Sequence, residues 1–426
     1  MQNPLPSRAL KVIAALFSAL VIVLAFAGPA AADQTLPKAS ERSTSTSWAF
    51  TALGVPADRP AGDGIKVAVV DSGIDADHPA FAGRIAGAAN CVGSGGNPAR
   101  CTDDVIDDNG HGTHIAGIIG ARRVGKAPDG VAPGVQLLAV RSLTNTCEGK
   151  GQERTCRALG QLGDVVAGVR WATSRDADLI NLSIDAGVDL DWKDGDLADA
   201  IVDAWRNGAV VVASTGNRSI TLTDPDLRSV PMLLVGAVNA EGVKASYSNL
   251  PGTARWGLMA PGGEAGGACP EAGVLSTYPR EIEAAGTGCL SGTSMAAAYV
   301  TGALASLMSN GLDGPTALSH LLTTATPATD DATPAPLANL AAALSTPAAP
   351  PTPGLTHGIA GAVDRQESDG SAAVFSASGL PISEWTKTHP IRTRVLGTLA
   401  ILAGTLLMLG HRRRSGRPWL VGYDAI

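Results

Sequence analysis

Five short and almost uninterrupted apolar segments recur between residues 65 and 238 of this chain of 426 residues. Each is rich in Val, Ile, Leu or Ala, which is typical of a strand that is buried on both faces. Strands of this kind belong to parallel sheets with helices on both sides. We therefore expect a mostly parallel sheet with strands at residues 65–70, 135–140, 177–183, 210–213 and 232–238.

The segments between and after these strands have the features of helices. In one of them Leu162, Val165, Val166 and Val169 recur at helical spacing, and in another Asn207-Gly208 is a helix stop signal. Alternating strands and helices predict an α/β fold with three layers, in which the sheet lies between helices. The predicted helices cover residues 111–119, 159–175, 197–207, 294–310 and 337–344.

The charge balance makes nucleic-acid binding a poor hypothesis. The chain has 39 acidic and 32 basic residues, a formal net charge of −7, so no basic excess is available to neutralise a phosphate backbone. Its seven Trp, four Tyr and five Phe are also few for a surface that stacks bases.

The N-terminus has the pattern of a secretory signal peptide. Arg8 and Lys11 precede an apolar run at residues 12–27, and the small residues at 30–32 offer a cleavage site. The alternative is an uncleaved membrane anchor, which the shortness of the run makes less favoured. We expect residues 1–32 to be removed and the rest to be exported.

A second apolar run lies near the C-terminus, at residues 395–410. As a helix it would span about 24 Å, less than the hydrocarbon core of about 30 Å, but flanking Arg side chains can close that gap. Arg412, Arg413, Arg414 and Arg417 are a positive-inside signal. We expect one transmembrane helix at 391–410 and a cytoplasmic tail at 411–426, with the folded part outside the cell membrane; the alternative is a buried core helix.

The remaining segments give the domain layout. Residues 33–62 are too few to fold alone and are expected to lie across the surface of a domain at 63–346. Residues 347–390 begin with a Pro-rich stretch and are predicted to be a linker.

All six cysteines lie in the part that would be exported, which favours disulfides. Fifteen pairings are possible, and we favour the one in which each pair brackets a short polar or Gly-rich segment. A Cys metal site is the less favoured alternative, since no Cys-x-x-Cys occurs. The favoured pairs are Cys91–Cys101, Cys147–Cys156 and Cys269–Cys289.

Three polar motifs follow predicted strands or open predicted helices. Asp71 follows the first predicted strand, His111 begins the first predicted helix, and Ser294 begins the long Ala-rich helix. Functional groups gather at the carboxyl ends of strands in open α/β sheets. A serine hydroxyl needs a base, an imidazole can take and return its proton, and a carboxylate can hold that imidazole. These residues therefore predict nucleophilic catalysis.

A fourth polar group, Asn217, follows the fourth strand and could donate to the oxyanion of a tetrahedral intermediate. Taken singly, each motif has a simpler interpretation. Asp71 and Asn217 could form turns, His111 could be a loop histidine, and Ser294 could cap its helix. Their joint occurrence is what favours catalysis.

Three segments resemble the signature motifs of the subtilisin-like serine proteases: Val69-Val70-Asp71-Ser72-Gly73, Asn109-Gly110-His111-Gly112-Thr113-His114 and Gly292-Thr293-Ser294-Met295-Ala296. The resemblance covers about residues 48–346 and implies a subtilisin-like fold. It implies that Asp71, His111 and Ser294 form a catalytic triad, that Asn217 is the oxyanion donor and that His114 is structural. It also implies substrate contacts at Ser183, Ser214 and Gly216.

The order of segments looks like that of the mycosins, the membrane-anchored subtilases of actinobacterial type VII secretion systems. The resemblance implies a protease that processes a protein or peptide substrate of such a system and that can stabilise the secretion complex. The alternative function is a structural stabiliser of that complex with dispensable protease activity.

The chain departs from the family pattern at two places. Ala298 stands where the family usually has Pro, and Asp185 and Ala186 stand where it usually has two glycines beside the substrate cleft. The primary pocket is therefore expected to be narrowed or charged, and specificity does not carry over.

No cofactor or metal is expected. Structural calcium at the acidic cluster Asp103, Asp104, Asp107 and Asp108 is a less favoured alternative, because the cluster lacks the ligand spacing of a calcium loop and such runs are more often solvated.

Overall fold

The computed structural model describes residues 47–123, 128–148, 155–186, 190–193, 195–266, 268–328, 335–349 and 420–423. The strands in these ranges are β1 (Lys66–Asp71), β2 (Ile85–Asn90), β3 (Gln136–Arg141), β4 (Thr144–Glu148), β5 (Thr155–Gln161), β6 (Leu179–Leu182), β7 (Val210–Ser214), β8 (Met232–Val238), β9 (Trp256–Pro261), β10 (Val274–Thr277), β11 (Thr287–Leu290) and β12 (Leu420–Tyr423). The helices are α1 (Trp48–Leu53), α2 (His111–Gly120), α3 (Leu162–Thr173), α4 (Asp196–Arg206), α5 (Thr293–Ser309), α6 (Gly314–Thr323) and α7 (Leu340–Ser345).

Seven strands form one parallel sheet in the order β2-β3-β1-β6-β7-β8-β9. The five predicted strands are all members of it, and their observed bounds differ from the predicted ones by at most two residues. The prediction of a mostly parallel sheet is therefore confirmed.

Successive side chains of the central strands enter two different cores. Val67 and Val69 pack in a core with α2 and α5, whereas Ala68 and Val70 pack in a second core with α3 and α4. All four side chains are at most 2% exposed. Full burial of a Val or Leu side chain contributes about 1.5–3 kcal/mol, so a strand buried on both faces is strongly held. The result is the predicted arrangement of a sheet between two helical layers.

One predicted helix begins later than expected. Residues 159–161, predicted as helical, belong to β5, and α3 begins only at Leu162. The reason is that β5 pairs with β4 in an antiparallel hairpin, in which Cys147 lies opposite Cys156. Cross-strand pairing thus outweighs the helical spacing of the side chains at this boundary.

The six cysteines form three disulfides, Cys91–Cys101, Cys147–Cys156 and Cys269–Cys289. These are the pairs that the sequence favoured, and each closes a short loop within the domain.

The described part of the N-terminal extension, residues 47–62, contacts the domain that follows it. The Trp48 Nε1–H donates to the carbonyl oxygen of Gly273 at 3.0 Å. Further along, the hydroxyl of Ser306 in α5 donates to the carbonyl oxygen of Pro60 at 2.8 Å, and the amide of Gly62 donates to Ser309 Oγ at 3.0 Å. This part of the extension is therefore bound to helix α5 and to the segment before β10.

The predicted signal peptide, the linker from residue 350 and the predicted transmembrane helix lie outside the described residues. Within the described ranges, no helix combines the length and apolar character that crossing a bilayer requires. Residues 420–423, expected in a cytoplasmic tail, form β12 and pair with β5 in an antiparallel register. A strand that pairs with β5 must lie on the same side of a membrane as the domain. The structure therefore places these four residues beside the domain, whereas the sequence predicted them on the cytoplasmic side.

Candidate active site

The predicted catalytic residues come from strand ends and helix starts at one edge of the sheet. Asp71 is the last residue of β1, and His111 is the first residue of α2. Asn217 lies three residues after the end of β7, and Ser294 is the second residue of α5. Because parallel strands all end at the same edge, these segments meet there although they are far apart in sequence.

Asp71 and His111 are in direct contact. His111 Nδ1 lies 2.7 Å from Asp71 Oδ1, and both side chains are at most 1% exposed. The amide of Ser72 also donates to Asp71 Oδ1 at 2.7 Å, which fixes the carboxylate. An imidazole that donates from Nδ1 has Nε2 as its basic nitrogen, which is the tautomer that a general base requires.

Gly112 allows this close approach. A Cβ atom at residue 112 would lie 2.0 Å from the carbonyl oxygen of Gly73 and 3.2 Å from Asp71 Cβ. A side chain there would therefore push the start of α2 away from the end of β1.

A buried carboxylate, Asp107, organises the segment that carries His111. Asp107 Oδ1 accepts hydrogen bonds from Ser72 Oγ (2.9 Å) and from the amides of Asn109 (3.1 Å) and Gly110 (2.7 Å). Asp107 Oδ2 accepts from the amide and the hydroxyl of Thr113, at 2.8 and 2.6 Å. Burial raises the pKa of Asp107, and these donors oppose that rise.

Sequence reasoning placed Asp107 in a solvated acidic run and missed this role. The structure separates the members of that run, since Asp107 is buried whereas Asp108 forms an ion pair with Arg141 at 2.9 Å. Within the described residues, no group of three or more His, Cys, Asp or Glu side chains is arranged to hold a metal ion.

His114 lies one turn further along α2 and faces the interior. Its Nε2 donates to the carbonyl oxygen of Val274 in β10 at 2.9 Å, and its side chain is fully buried. Burial, followed by the nearby charge of His111, lowers the pKa of His114 to about 3. His114 therefore stays neutral at physiological pH and joins α2 to β10.

Ser294 is fully buried in the first turn of α5, a continuous helix of 17 residues that packs against α2 and against β6 to β9. Ala298, at the position where the resembled family has Pro, lies within this helix. No hydrogen bond to Ser294 Oγ is present among the described residues. The structure thus forms the Asp71–His111 half of the predicted triad, and the Ser294–His111 contact remains a prediction.

Asn217 is held beside the start of α5. Its Oδ1 accepts hydrogen bonds from both the amide and the hydroxyl of Thr293, each at 3.0 Å. Thr293 Oγ1 in turn accepts from the amide of Gly216 at 3.1 Å. Since Oδ1 is the acceptor, the Nδ2 branch of Asn217 carries the N–H donors that an oxyanion needs.

Thr293 was not singled out from the sequence. Its position directly before the candidate nucleophile was the only available signal, and its two hydrogen-bonding roles depend on the loop after β7 reaching α5.

Two of the predicted substrate contacts have side chains that are occupied within the domain. Ser183 Oγ accepts from Asn181 Nδ2 at 3.1 Å, and Ser214 Oγ donates to the carbonyl oxygen of Ile184 at 2.6 Å. Contact with substrate through the backbone of Ser183 and through Gly216 remains a prediction. The Ser214 bond ties the segment after β6 to the end of β7.

Comparisons with known proteins show what the chain as a whole is similar to. The model of the subtilase family matches residues 62–343. The major intracellular serine protease of Bacillus subtilis strain 168 is 33% identical over 253 residues, which are 58% of this chain and 69% of that protein. Thermitase of Thermoactinomyces vulgaris is 32% identical over 257 residues, 60% of this chain and 78% of that relative.

Other relatives are matched over a smaller share of their length. Subtilisin NAT of Bacillus subtilis subsp. natto is 34% identical over 255 residues, and the chain spans 56% of it. Among solved structures, a protease from Pseudoalteromonas arctica PAMC 21717 superposes with a TM-score of 0.55 at 26% identity. That match covers 69% of this chain and 93% of the solved one.

Proposed function

The chain belongs to the subtilase family of serine endopeptidases, and from this premise we propose that it hydrolyses protein substrates outside the cytoplasm through Asp71, His111 and Ser294. The observation that carries the proposal is the buried hydrogen bond between Asp71 and His111 at the edge of the sheet where α5 begins. Each of these residue types has a defined task in acyl transfer.

In the proposed reaction, His111 takes the proton of Ser294 as Oγ attacks the carbonyl carbon of the scissile bond. The C–N bond breaks when His111 returns that proton to the leaving amine. Water then attacks the acyl carbon with His111 as base, and His111 returns that proton to Ser294 Oγ as the ester bond breaks and the acid product leaves. Asp71 holds the imidazole and stabilises its charged form.

The oxyanion of the tetrahedral intermediate needs donors that are already in place. We assign this task to Asn217 Nδ2 and the backbone amide of Ser294. Thr293 positions Asn217, because its amide and its hydroxyl both donate to Asn217 Oδ1. The N-terminus of α5 adds the positive end of a helix dipole.

A location outside the cytoplasm is supported by the disulfides. Three of them lie within the described domain, and such bonds persist in oxidising compartments. The signal-peptide pattern at residues 1–32 points the same way.

We further propose that residues 391–410 anchor the enzyme in the cell membrane, with residues 411–426 in the cytoplasm. If the chain crosses the membrane once at 391–410, residues 420–423 and the catalytic domain lie on opposite sides of it. Residues 420–423 then cannot pair with β5 of the same molecule, because β5 belongs to the catalytic domain. The proposal therefore requires residues 420–423 to leave β5 when the anchor inserts.

The similarity of the segment order to that of the mycosins supports a role in a type VII secretion system. The proposed substrate is a protein secreted by that system. A role as a stabiliser of the secretion complex, independent of Ser294, is the alternative that experiment has to separate.

Two experiments test these proposals. A fluorophosphonate probe should label the wild-type protein and the Ser309→Ala control, which alters the other end of the same helix, but not Ser294→Ala. A folded wild-type protein that resists the probe would contradict the enzymatic proposal.

In cells, mass spectrometry of secreted proteins should show an unprocessed substrate with Ser294→Ala. If Ser294→Ala leaves secretion and processing unchanged while deletion of the chain abolishes secretion, the stabiliser function is favoured and the protease function is not.

A further inference from the structure

We propose that Asp185 and Arg218 close the pocket for the substrate side chain on the acyl side of the scissile bond, so that the enzyme cleaves after Gly, Ala or Ser. The inference rests on the proposed function, since it places the scissile carbonyl between Ser294 and Asn217. It adds a specificity that family membership does not provide.

The position of that side chain follows from the position of the oxyanion donor. A carbonyl oxygen bound to Asn217 brings the residue that carries it against Gly216 and Asn217. Its side chain leaves from the carbon next to that carbonyl, so it must enter the space beside Gly216. The segment after β7, which contains Gly216, lies beside the segment after the neighbouring strand β6, which contains Asp185.

A carboxylate already occupies the Gly216 side of this space. A Cβ atom on Gly216 would lie only 1.8 Å from Asp185 Oδ1 and 2.7 Å from Asn249 Nδ2. The Asp185 carboxylate thus lies against the bare Cα of Gly216, one residue from the oxyanion donor.

An ion pair holds the carboxylate there. Asp185 Oδ2 lies 3.0 Å from Arg218 Nε, so the pair joins the segment after β6 to the segment after β7. The Asp185 side chain is 17% exposed and that of Arg218 is 46% exposed, which places the pair at the mouth of the space and not in the core.

Both ends of the pair are anchored by Asn249, which is fully buried. Its Oδ1 accepts from the amide of Arg218 at 2.9 Å, and its Nδ2 lies 3.5 Å from Asp185 Oδ1. The same Nδ2 donates to the carbonyl oxygen of Thr215 at 2.8 Å. The pair is therefore built into the domain.

The chemistry of the pair excludes most side chains. A large apolar group would have to separate the ion pair and strip water from both charges. An acidic group would meet Asp185, and a basic group would find that carboxylate already paired with Arg218. Only small side chains fit without breaking the pair.

The test uses the full chain and fluorogenic peptides that differ only at the acyl-side residue: Ala, Ser, Leu, Phe, Lys or Glu. For the wild type, kcat/KM with Ala or Ser should exceed that with Leu, Phe or Lys by about tenfold or more. Asp185→Gly should raise kcat/KM for Leu and Phe relative to Ala by about tenfold. Arg218→Ser removes the guanidinium beside Asp185 and should raise kcat/KM for Lys relative to Ala by about tenfold.

Asp203→Ala is the matched control, because Asp203 belongs to an exposed ion pair with Arg206 on α4. Asp203→Ala should show the same order of kcat/KM across the peptides as the wild type. Labelling by a fluorophosphonate reports Ser294 independently of the peptide series. Two results would overturn this inference without touching the proposed function. One is a wild type that is labelled but prefers peptides with Lys, Leu or Phe. The other is that Asp185→Gly and Arg218→Ser are both labelled and keep the wild-type order of kcat/KM across the peptides. A folded wild type that is not labelled overturns the proposed function together with it.

If Asp185→Gly does not fold, the inference is tested by Arg218→Ser: it stands if this variant raises kcat/KM for the Lys peptide relative to the Ala peptide, and it falls if the ratio is unchanged.

Discussion

Ser72 Oγ donates to Asp107 Oδ1 at 2.9 Å and accepts from the amide of Gly112 at the same distance. This hydroxyl thus joins the residue after Asp71 to the first turn of α2, where His111 lies. The contact between Asp71 and His111 is therefore supported by a second polar network, centred on the buried carboxylate of Asp107.

We expect Asp107→Ala to lower the free energy of unfolding by about 3 kcal/mol, because it leaves five donors without their acceptor in the interior. The rate of fluorophosphonate labelling should also fall at least tenfold. Asp107→Asn should recover part of the stability and part of the labelling rate, since its amide oxygen can still accept from Ser72 and Gly110. Urea unfolding and labelling kinetics measure the two effects.

Asp104→Ala is the control for this prediction, because Asp104 is exposed on the same loop. If Asp107→Ala behaved like Asp104→Ala, the network would have no positioning role.

Thr293→Val should lower kcat about tenfold with little change in KM. The substitution keeps the shape of the side chain but removes the hydroxyl that binds Asn217 Oδ1 and the amide of Gly216. The oxyanion donor would then be less well placed in the transition state. Steady-state kinetics with a single peptide measures the effect.

Asn217→Ala provides the comparison, with a loss in kcat of about 10²–10³, the magnitude known from subtilisin itself. The double variant should be no worse than Asn217→Ala, because Thr293 acts through Asn217. Fully additive losses would show that Thr293 acts by another route.

Acid should destabilise the folded state through His114. The pKa of His114 is lowered to about 3 in the fold, below its ordinary value of 6.5, so the unfolded chain takes up the proton first as pH falls. This contribution to stability is complete above pH 6.5 and is lost progressively down to pH 3, where the loss reaches about 5 kcal/mol.

His114→Gln should abolish this part of the pH dependence while keeping a donor for Val274. Urea unfolding of both proteins at several values between pH 7.5 and 4 measures it. The free-energy difference between them should shrink as pH falls, and a difference that is independent of pH would falsify the prediction.

Asn145→Ala should slow fluorophosphonate labelling severalfold. Asn145 in β4 donates to the carbonyl oxygen of Asp108 at 2.8 Å and accepts from Asn109 Nδ2 at 3.2 Å. Asn109 Oδ1 in turn accepts from the amide of His111 at 3.3 Å. Loss of two hydrogen bonds is worth about 1–3 kcal/mol and should loosen this segment. Thr146→Ala, an exposed change on the same strand, should label at the wild-type rate.

If the anchor crosses the membrane once, a cysteine introduced by Ser415→Cys should react with an impermeant maleimide only after the cells are permeabilised. Ser229→Cys, on the exposed surface of the domain, should react in intact cells. The natural cysteines of the domain are paired, so they do not compete. Reaction of Ser415→Cys in intact cells would instead agree with β12 remaining on β5.

The central sheet could be predicted from the sequence because its strands are buried on both faces and consist of apolar runs. Strands β2 and β9 were missed. Strand β2 contains Ile85 followed mainly by Ala and Gly, and it pairs only with β3 at one edge of the sheet. Strand β9 is the opposite edge strand and ends at Pro261. Edge strands have weaker patterns because they are partly exposed and lack a second neighbour.

The candidate site could be predicted only in part. Asp71, His111, Asn217 and Ser294 could be proposed from the sequence because each has a residue type that the chemistry needs. Asp107, Thr293 and Arg218 act through partners that are distant in sequence. Their side chains look like ordinary loop residues until the fold places Ser72, Asn217 and Asp185 beside them.

The residues of the site join the growing chain in a fixed order, with Ser294 after every strand of the seven-stranded sheet. A chain that is still being synthesised therefore has no Ser294 until almost the whole domain has been made. Until then the incomplete chain cannot attack its own peptide bonds through this residue.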